Sequence, residues 1–339
     1  MGRRKKIRNL LGILKDKASL IKAAISINRQ LSSINVAVLR ATTHNPSSPP
    51  SENRIAAVLA LGHSSRTTSC ACIVALMDRL HATHSAPVAL KCLFTAHNIA
   101  TNGSFILKDQ LSFYPSSGGQ NFLNLSDFRD ESDADTWELS SWVRWYAAVV
   151  EQNLIVSRSL GYYYSPRGKE FDNNKLSLLL SSELLGEIDV LVDHVERTCD
   201  APGNLNLQRN NLVYEVVTMV GEDYRLVQRE LFVRLKEIED RMESLSSSEL
   251  TRLLSALKRL EECREKLVAL FVNRRKNVVF WDLIRQMTTK LVEMKEKREQ
   301  KKLEWKKSTN ESNGFWNPFV ESGPIVSVSV GNVMAHGWA

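Results

Sequence analysis

The sequence predicts an all-α protein: a stack of helices followed by long C-terminal helices packed antiparallel. Three observations predict it. Apolar residues recur at three- and four-residue intervals along most of the 339-residue chain, with no strand-like alternation of useful length. No proline occurs between Pro202 and Pro318. Within that proline-free half lie three near-heptad apolar stripes. The first is Val227, Leu231, Leu235, Ile238, Met242 and Leu245. The second is Leu250, Leu253, Leu257, Leu260, Leu267 and Phe271. The third is Phe280, Leu283, Met287, Leu291 and Met294.

The elements follow in chain order. Residues 4–24 read as a helix, because Ile7, Leu10, Leu11, Leu14, Ala18 and Ile21 form one apolar stripe at helical spacing. Pro46, Pro49 and Pro50 make residues 45–53 a loop, since proline lacks the N–H a helix needs. Arg54 to Gly62 resumes a helical run. Residues 67–81 and 86–101 read as two buried helices broken at Ser85-Ala86-Pro87. Residues 114–121 are a second loop, and the acidic run 130–135 is a solvated loop capping a helix over 136–157. Residues 161–174 read as irregular, and the leucine-rich 176–191 as a buried helix. Ser246-Ser247-Ser248 caps and separates the first two C-terminal stripes. The third runs into a charged stretch over 295–307, and residues 308–339, with no Lys or Arg, have the composition of a disordered tail.

Charge is distributed unevenly. Of 45 Lys and Arg and 38 Asp and Glu, eight basic side chains and one acidic one, Asp16, lie in the first 22 residues; 37 of each sign remain, so this segment carries the whole net charge of +7. Such a segment seeks phospholipid or nucleic acid. Residues 1–30 contain no aromatic side chain, and charge beside an apolar stripe suits lipid better than nucleic acid. The basic side chains meet acidic headgroups, and Ile7, Leu10, Leu11 and Leu14 enter the headgroup–acyl boundary. The plain alternative is an ordinary amphipathic helix whose stripe packs on the domain and whose basic face is solvated.

No enzymatic constellation stands out, and no cofactor or metal is expected. Cys70-x-Cys72 with His81 and His84 lacks structural-zinc spacing and lies in an apolar helical run, so core packing is the better reading. Gly118-Gly119 lacks the lysine of a phosphate-binding loop. Five cysteines show no disulfide framework and indicate a reducing compartment. No apolar run approaches the roughly 18–20 residues of a membrane span. Lys15, Asp16 and Lys17 interrupt what a signal peptide would need, and Lys6 stands where N-myristoylation prefers Ser or Thr.

Four stretches together resemble one family. Residues 36–44 (VAVLRATTH), 90–107 (LKCLFTAHNIATNGSFIL), 122–128 (FLNLSDF) and 141–154 (SWVRWYAAVVEQNL) are similar, in order, to motifs of the ANTH domain of clathrin assembly proteins. Residues 12–20 (GILKDKASL) resemble its plant members. The resemblance covers roughly residues 5–160 well and the C-terminal helices by pattern. It implies an ENTH/ANTH-like superhelical stack of helices that binds phosphatidylinositol 4,5-bisphosphate membranes, promotes clathrin assembly and sorts R-SNARE (VAMP-type) cargo in endocytosis. It also implies a cytosolic, peripheral protein of coated pits and vesicles, with the Golgi as a further location. The family's headgroup site uses a Lys matched here by Arg40, with His44 following, and a downstream basic cluster. In place of that cluster the chain reads Pro50-Ser51-Glu52-Asn53-Arg54, so Arg54 alone is basic. Lys15, Lys17 and Lys22 are the compensating cations. A tail over 306–339 carries Asn317-Pro318-Phe319, a motif of the kind EH domains bind.

The expected organisation is a basic membrane helix over 1–24, a helical domain over 25–160, its C-terminal helical part over 161–305, and the tail over 306–339. The rival reading is a helical scaffold that oligomerises through the C-terminal stripes. Arg264, inside the second stripe, argues for packing within the chain.

Overall fold

The computed structural model describes residues 2–25, 28–115, 123–163, 173–203, 209–271 and 277–312, which contain helices and no strand. The α-helices are α1 (Gly2–Ala24), α2 (Arg29–Ala41), α3 (Glu52–Ala60), α4 (Arg66–Ala82), α5 (Ala86–Asn102), α6 (Phe105–Ser112), α7 (Ala134–Leu160), α8 (Asn173–Leu178), α9 (Ser181–Cys199), α10 (Asn211–Asp240), α11 (Ser247–Leu270) and α12 (Val278–Ser312). Short 3-10 turns at Leu61–His63 and Met242–Ser244 follow α3 and α10. Contacts divide the chain into two compact units, residues 1–292 and 293–339.

Side-chain caps set many of the helix starts. Asn28, Ser65, Ser104, Asn210 and Ser246 each accept a hydrogen bond from a backbone N–H of the first turn that follows. Asp133 and Thr136 form a reciprocal capping box at α7, and Ser246 with Glu249 forms one at α11. Each such cap is worth about 1 kcal/mol. Pro87 sits in the first turn of α5, where its missing N–H costs nothing. Gly161 ends α7 in the left-handed region, at φ 74°.

Two helices organise unit 1. α5 is buried almost all round and packs against α2, α3, α4, α6 and α7. Its Leu90 and Leu93 join Ile73, Leu76 and Met77 of α4 and Trp142 and Tyr146 of α7 in one core. α9 packs against α7, α10 and α11. The members of the three C-terminal stripes up to Leu291 are buried within the protein, apart from Phe271, which is half-buried. Ion pairs tie α9 to its neighbours: Arg234 with Glu187 at 2.7 Å, Arg252 with Asp189 at 2.5 Å, and Arg259 with Asp193 and Glu196.

Several sequence expectations change. Asp130 is not solvated. It is 3% exposed and its carboxylate accepts from the Ala86 N–H at 2.8 Å, capping α5 across 44 residues of chain. The run 176–191 is not one buried helix: it breaks between α8 and α9, and Leu178 and Leu180 are exposed. Within 161–174, helix α8 has already begun at Asn173, and residues 164–172 lie outside the described residues. The loop over 45–53 ends earlier, at the N-cap Ser51 of α3. Cys72 is a core residue as expected, but Cys70, on another side of α4, is exposed. Asn317, Pro318 and Phe319 lie outside the described residues. In unit 2 the end of α12 exposes Leu303 and Trp305.

Candidate membrane-binding site

α1 packs against α2, but not through its apolar stripe. Gly12 is buried, and Asp16, Ser19, Leu20 and Ala23 are half-buried. Their spacing of three and four residues puts them on one face. The opposite face is open: Ile7, Leu10, Leu11 and Leu14 are 52%, 60%, 53% and 61% exposed, and Ile13, Ile21 and Ile25 are exposed as well. The helix therefore docks by a face of mostly small residues around Asp16 and leaves its main apolar stripe exposed, the reverse of an ordinary amphipathic helix on a core. Gly12 makes the close approach possible, since a Cβ there would lie 2.8 Å from the His44 Cβ.

The docking contact is electrostatic. His44, in the loop after α2, donates its backbone N–H to Asp16 Oδ2 at 2.9 Å, and its Nδ1 meets Asp16 Oδ1 at 2.6 Å. Arg79 of α4 stands 3.8 Å from Asp16 Oδ1 and is itself fixed by donating to Thr42 Oγ1 at 2.5 Å and to the Thr42 carbonyl at 2.7 Å. Beneath the loop, Lys91 of α5 is 1% exposed and donates to the Thr43 carbonyl, Thr43 Oγ1 and the Asn45 carbonyl at 3.0, 3.1 and 2.8 Å. Burial pushes this ammonium down to about 8; Asp16 pulls it back up, and Arg54 and Arg79 push it further down. At neutral pH it remains protonated and offers three N–H donors to three acceptors.

Burial alone would raise the Asp16 carboxyl. The His44 ring and N–H, with the charges of His44 and Arg79, outweigh that and hold it below its ordinary range. A carboxyl that is depressed when docked favours docking above its undocked value and loses that contribution as pH falls through the docked value. Acidification below about 4 is therefore expected to release α1, read as faster hydrogen exchange of its amides while α5 and α7 stay protected.

The sequence-predicted cations separate into groups. Lys15, Lys22 and His44 line one groove of about 1310 Å³ along α1, with Leu11, Arg79 and His84. Lys17 is also exposed but lies across the helix from Lys15, because two residues turn an α-helix about 200°. Arg40, in the last turn of α2, and Arg54, in α3, are exposed and do not line the groove. Where the family places its second basic cluster, this chain starts α3 with Glu52 in the first turn. Sequence reasoning missed Arg79, Lys91 and the part Asp16 plays. A glycine in mid-helix was the one local signal that α1 approaches something closely.

No described helix is long and apolar enough to cross a membrane. Among the described residues no cluster of His, Cys, Asp and Glu could hold a metal ion.

Comparison with known proteins bears on most of the chain. Residues 33–301 match the ANTH domain. The Arabidopsis thaliana protein named "Putative clathrin assembly protein At4g40080" is 44% identical over 274 residues, covering 79% of this chain and 75% of its own length. Two more proteins of that plant, named in the same way, At5g10410 and At5g65370, are 30% and 29% identical. They cover 82% and 83% of this chain and 84% and 98% of their own lengths. The motif order, the all-helical stack and a domain match spanning most of the sequence agree, and the chain belongs to the ANTH-domain family.

Proposed function

We propose that this protein is a peripheral membrane adaptor of clathrin-dependent endocytosis that binds membranes containing phosphatidylinositol 4,5-bisphosphate, promotes clathrin coat assembly and sorts R-SNARE cargo. The observation that carries the membrane part is the open apolar face of α1 beside exposed Lys15, Lys17 and Lys22. Ile7, Leu10, Leu11 and Leu14 supply insertion. The lysines, with Arg40, His44 and Arg54, supply attraction to phosphorylated headgroups, each worth about 1 kcal/mol near an anionic surface. The clathrin part rests on relatives named as clathrin assembly proteins. The SNARE part follows the family resemblance, and recruitment of an EH-domain protein would fall to Asn317-Pro318-Phe319. The adaptor works by binding rather than by catalysis and sits on coated pits and vesicles, with the Golgi as a further site.

Co-sedimentation with vesicles tests the reading. Recovery of the full chain on vesicles containing phosphatidylinositol 4,5-bisphosphate should greatly exceed recovery on neutral vesicles, and should fall with added salt. Equal recovery on both refutes it.

A further inference from the structure

The contact that docks α1 has the chemistry of an anion site already filled. Asp16 is the single acidic residue of α1, on a helix otherwise rich in Lys and Arg. It is the residue placed against a backbone N–H, an imidazole and a guanidinium. Both carboxylate oxygens are engaged, Oδ2 by the N–H and Oδ1 by the ring, as a forked acceptor would be. The donors are held in place without Asp16: Lys91 fixes the loop from below through Thr43 and Asn45, and Thr42 fixes Arg79. Arg54 and Arg79 also act on Lys91, so several positive charges share this neighbourhood. Asp78, Asp130 and Asp133 line the same groove as Lys15 and Lys22, while Asp16 is the acid that α1 itself sets against His44 and Arg79.

We propose that Asp16 is a built-in occupant of a phosphate seat formed by the His44 N–H, the His44 ring and Arg79, and that docking of α1 and binding of a phosphate group at this seat exclude one another. A phosphate monoester carries a charge of about −1.5 to −2 and three acceptor oxygens, against one charge and two oxygens for the carboxylate. It therefore gains more from the same donors. The tethered Asp16 competes through its high local concentration. A headgroup phosphate that takes the seat frees α1 at the membrane surface, where its open apolar face inserts. Recognition and insertion are then one event, and α1 is held on the body until a phosphate arrives. The inference rests on the phosphoinositide reading for its ligand and adds Arg79 as a phosphate contact and Asp16 as the internal competitor.

The test uses the full chain, soluble inositol 1,4,5-trisphosphate, inorganic phosphate and two variants. Asp16→Ala removes the internal anion. Gly12→Leu keeps it but drives a side chain into the space of His44, where even a Cβ would be at 2.8 Å. Both should bind the soluble headgroup roughly three- to tenfold tighter than wild type, because the docked state no longer withholds the seat. The gain in Gly12→Leu, whose charge is unchanged, separates competition from a general rise in positive charge. In wild type, saturating headgroup should speed hydrogen exchange across α1. Equal opening by inorganic phosphate at the same concentration supports the seat and assigns it to free phosphate. Unchanged exchange in α1, or no tightening in either variant, overturns the proposal. If wild type binds phosphoinositide vesicles and the variants gain nothing, the seat alone fails. If soluble headgroup opens α1 while acidic vesicles are ignored, the membrane reading alone fails.

Discussion

Replacing Asp223 by Ala is expected to lower the unfolding free energy by about 3–5 kcal/mol, the cost of leaving two buried hydrogen-bond donors without their carboxylate acceptor. Asp223 is 2% exposed on α10. Its Oδ2 accepts from His97 Nε2 of α5 at 2.5 Å and from Asn153 Nδ2 of α7 at 2.6 Å. His97 Nδ1 in turn meets the Tyr146 hydroxyl of α7 at 2.9 Å, and burial holds that phenol well above its ordinary value. One direction of donation satisfies all of them: Tyr146 O–H to Nδ1, and Nε2–H to the carboxylate. Removing Asp223 leaves an imidazole N–H and an amide N–H without their acceptor in the dry interior, where each unmet donor costs about 1–3 kcal/mol. Against a total stability of roughly 5–15 kcal/mol, that is a large fraction. Asp223→Asn keeps the shape and one acceptor oxygen and should cost about half as much. Urea unfolding followed by far-UV circular dichroism measures both. A loss below about 1 kcal/mol for Asp223→Ala would show that the network is not what holds α5 between α7 and α10.

That network matters to the membrane site because α5 carries both His97 and Lys91. They lie six positions apart on one helix, so any shift of α5 moves the ammonium that supports the loop of His44. None of this was legible in the sequence. Periodicity and proline placement located most helices, because a helix is decided by neighbours three and four residues away. The Ser246 cap was legible for the same local reason. Contacts such as Asp16 to His44, Asp130 to Ala86 or His97 to Asp223 join residues 28, 44 and 126 positions apart and leave no periodic trace. The stripe of α1 was legible as a stripe, but not which face would dock. That depended on a glycine, one acid and the charge of α4 and α5 beneath. Leu178 and Leu180 misled for the complementary reason: a leucine-rich run reads as core, yet both side chains are exposed on either side of a helix break.

Reversing Lys15, Lys17 and Lys22 together to Glu is expected to abolish recovery on phosphoinositide vesicles at physiological salt. Each lysine near an anionic surface contributes about 1 kcal/mol, and each glutamate adds repulsion of similar size. The sum, about 4–6 kcal/mol, corresponds to a loss of at least a thousandfold in partitioning. All three side chains are exposed, so the fold should tolerate the change. A second variant, Leu10→Gln with Leu14→Gln, probes the other half of the mechanism without changing the charge. These leucines are 60% and 61% exposed on the body and gain burial only by entering a membrane. Each is worth up to about 1.5–3 kcal/mol when fully buried. The two losses differ in their response to salt. Attraction between exposed charges is screened within about 8–10 Å at ordinary ionic strength. The deficit of the lysine variant relative to wild type should therefore shrink as salt is raised, and that of the leucine variant should not. If both deficits shrink together, α1 binds by charge alone and its apolar face stays outside the bilayer. If the lysine variant sediments like wild type, with circular dichroism showing α1 still helical, the cations of this helix are not what brings the protein to the membrane.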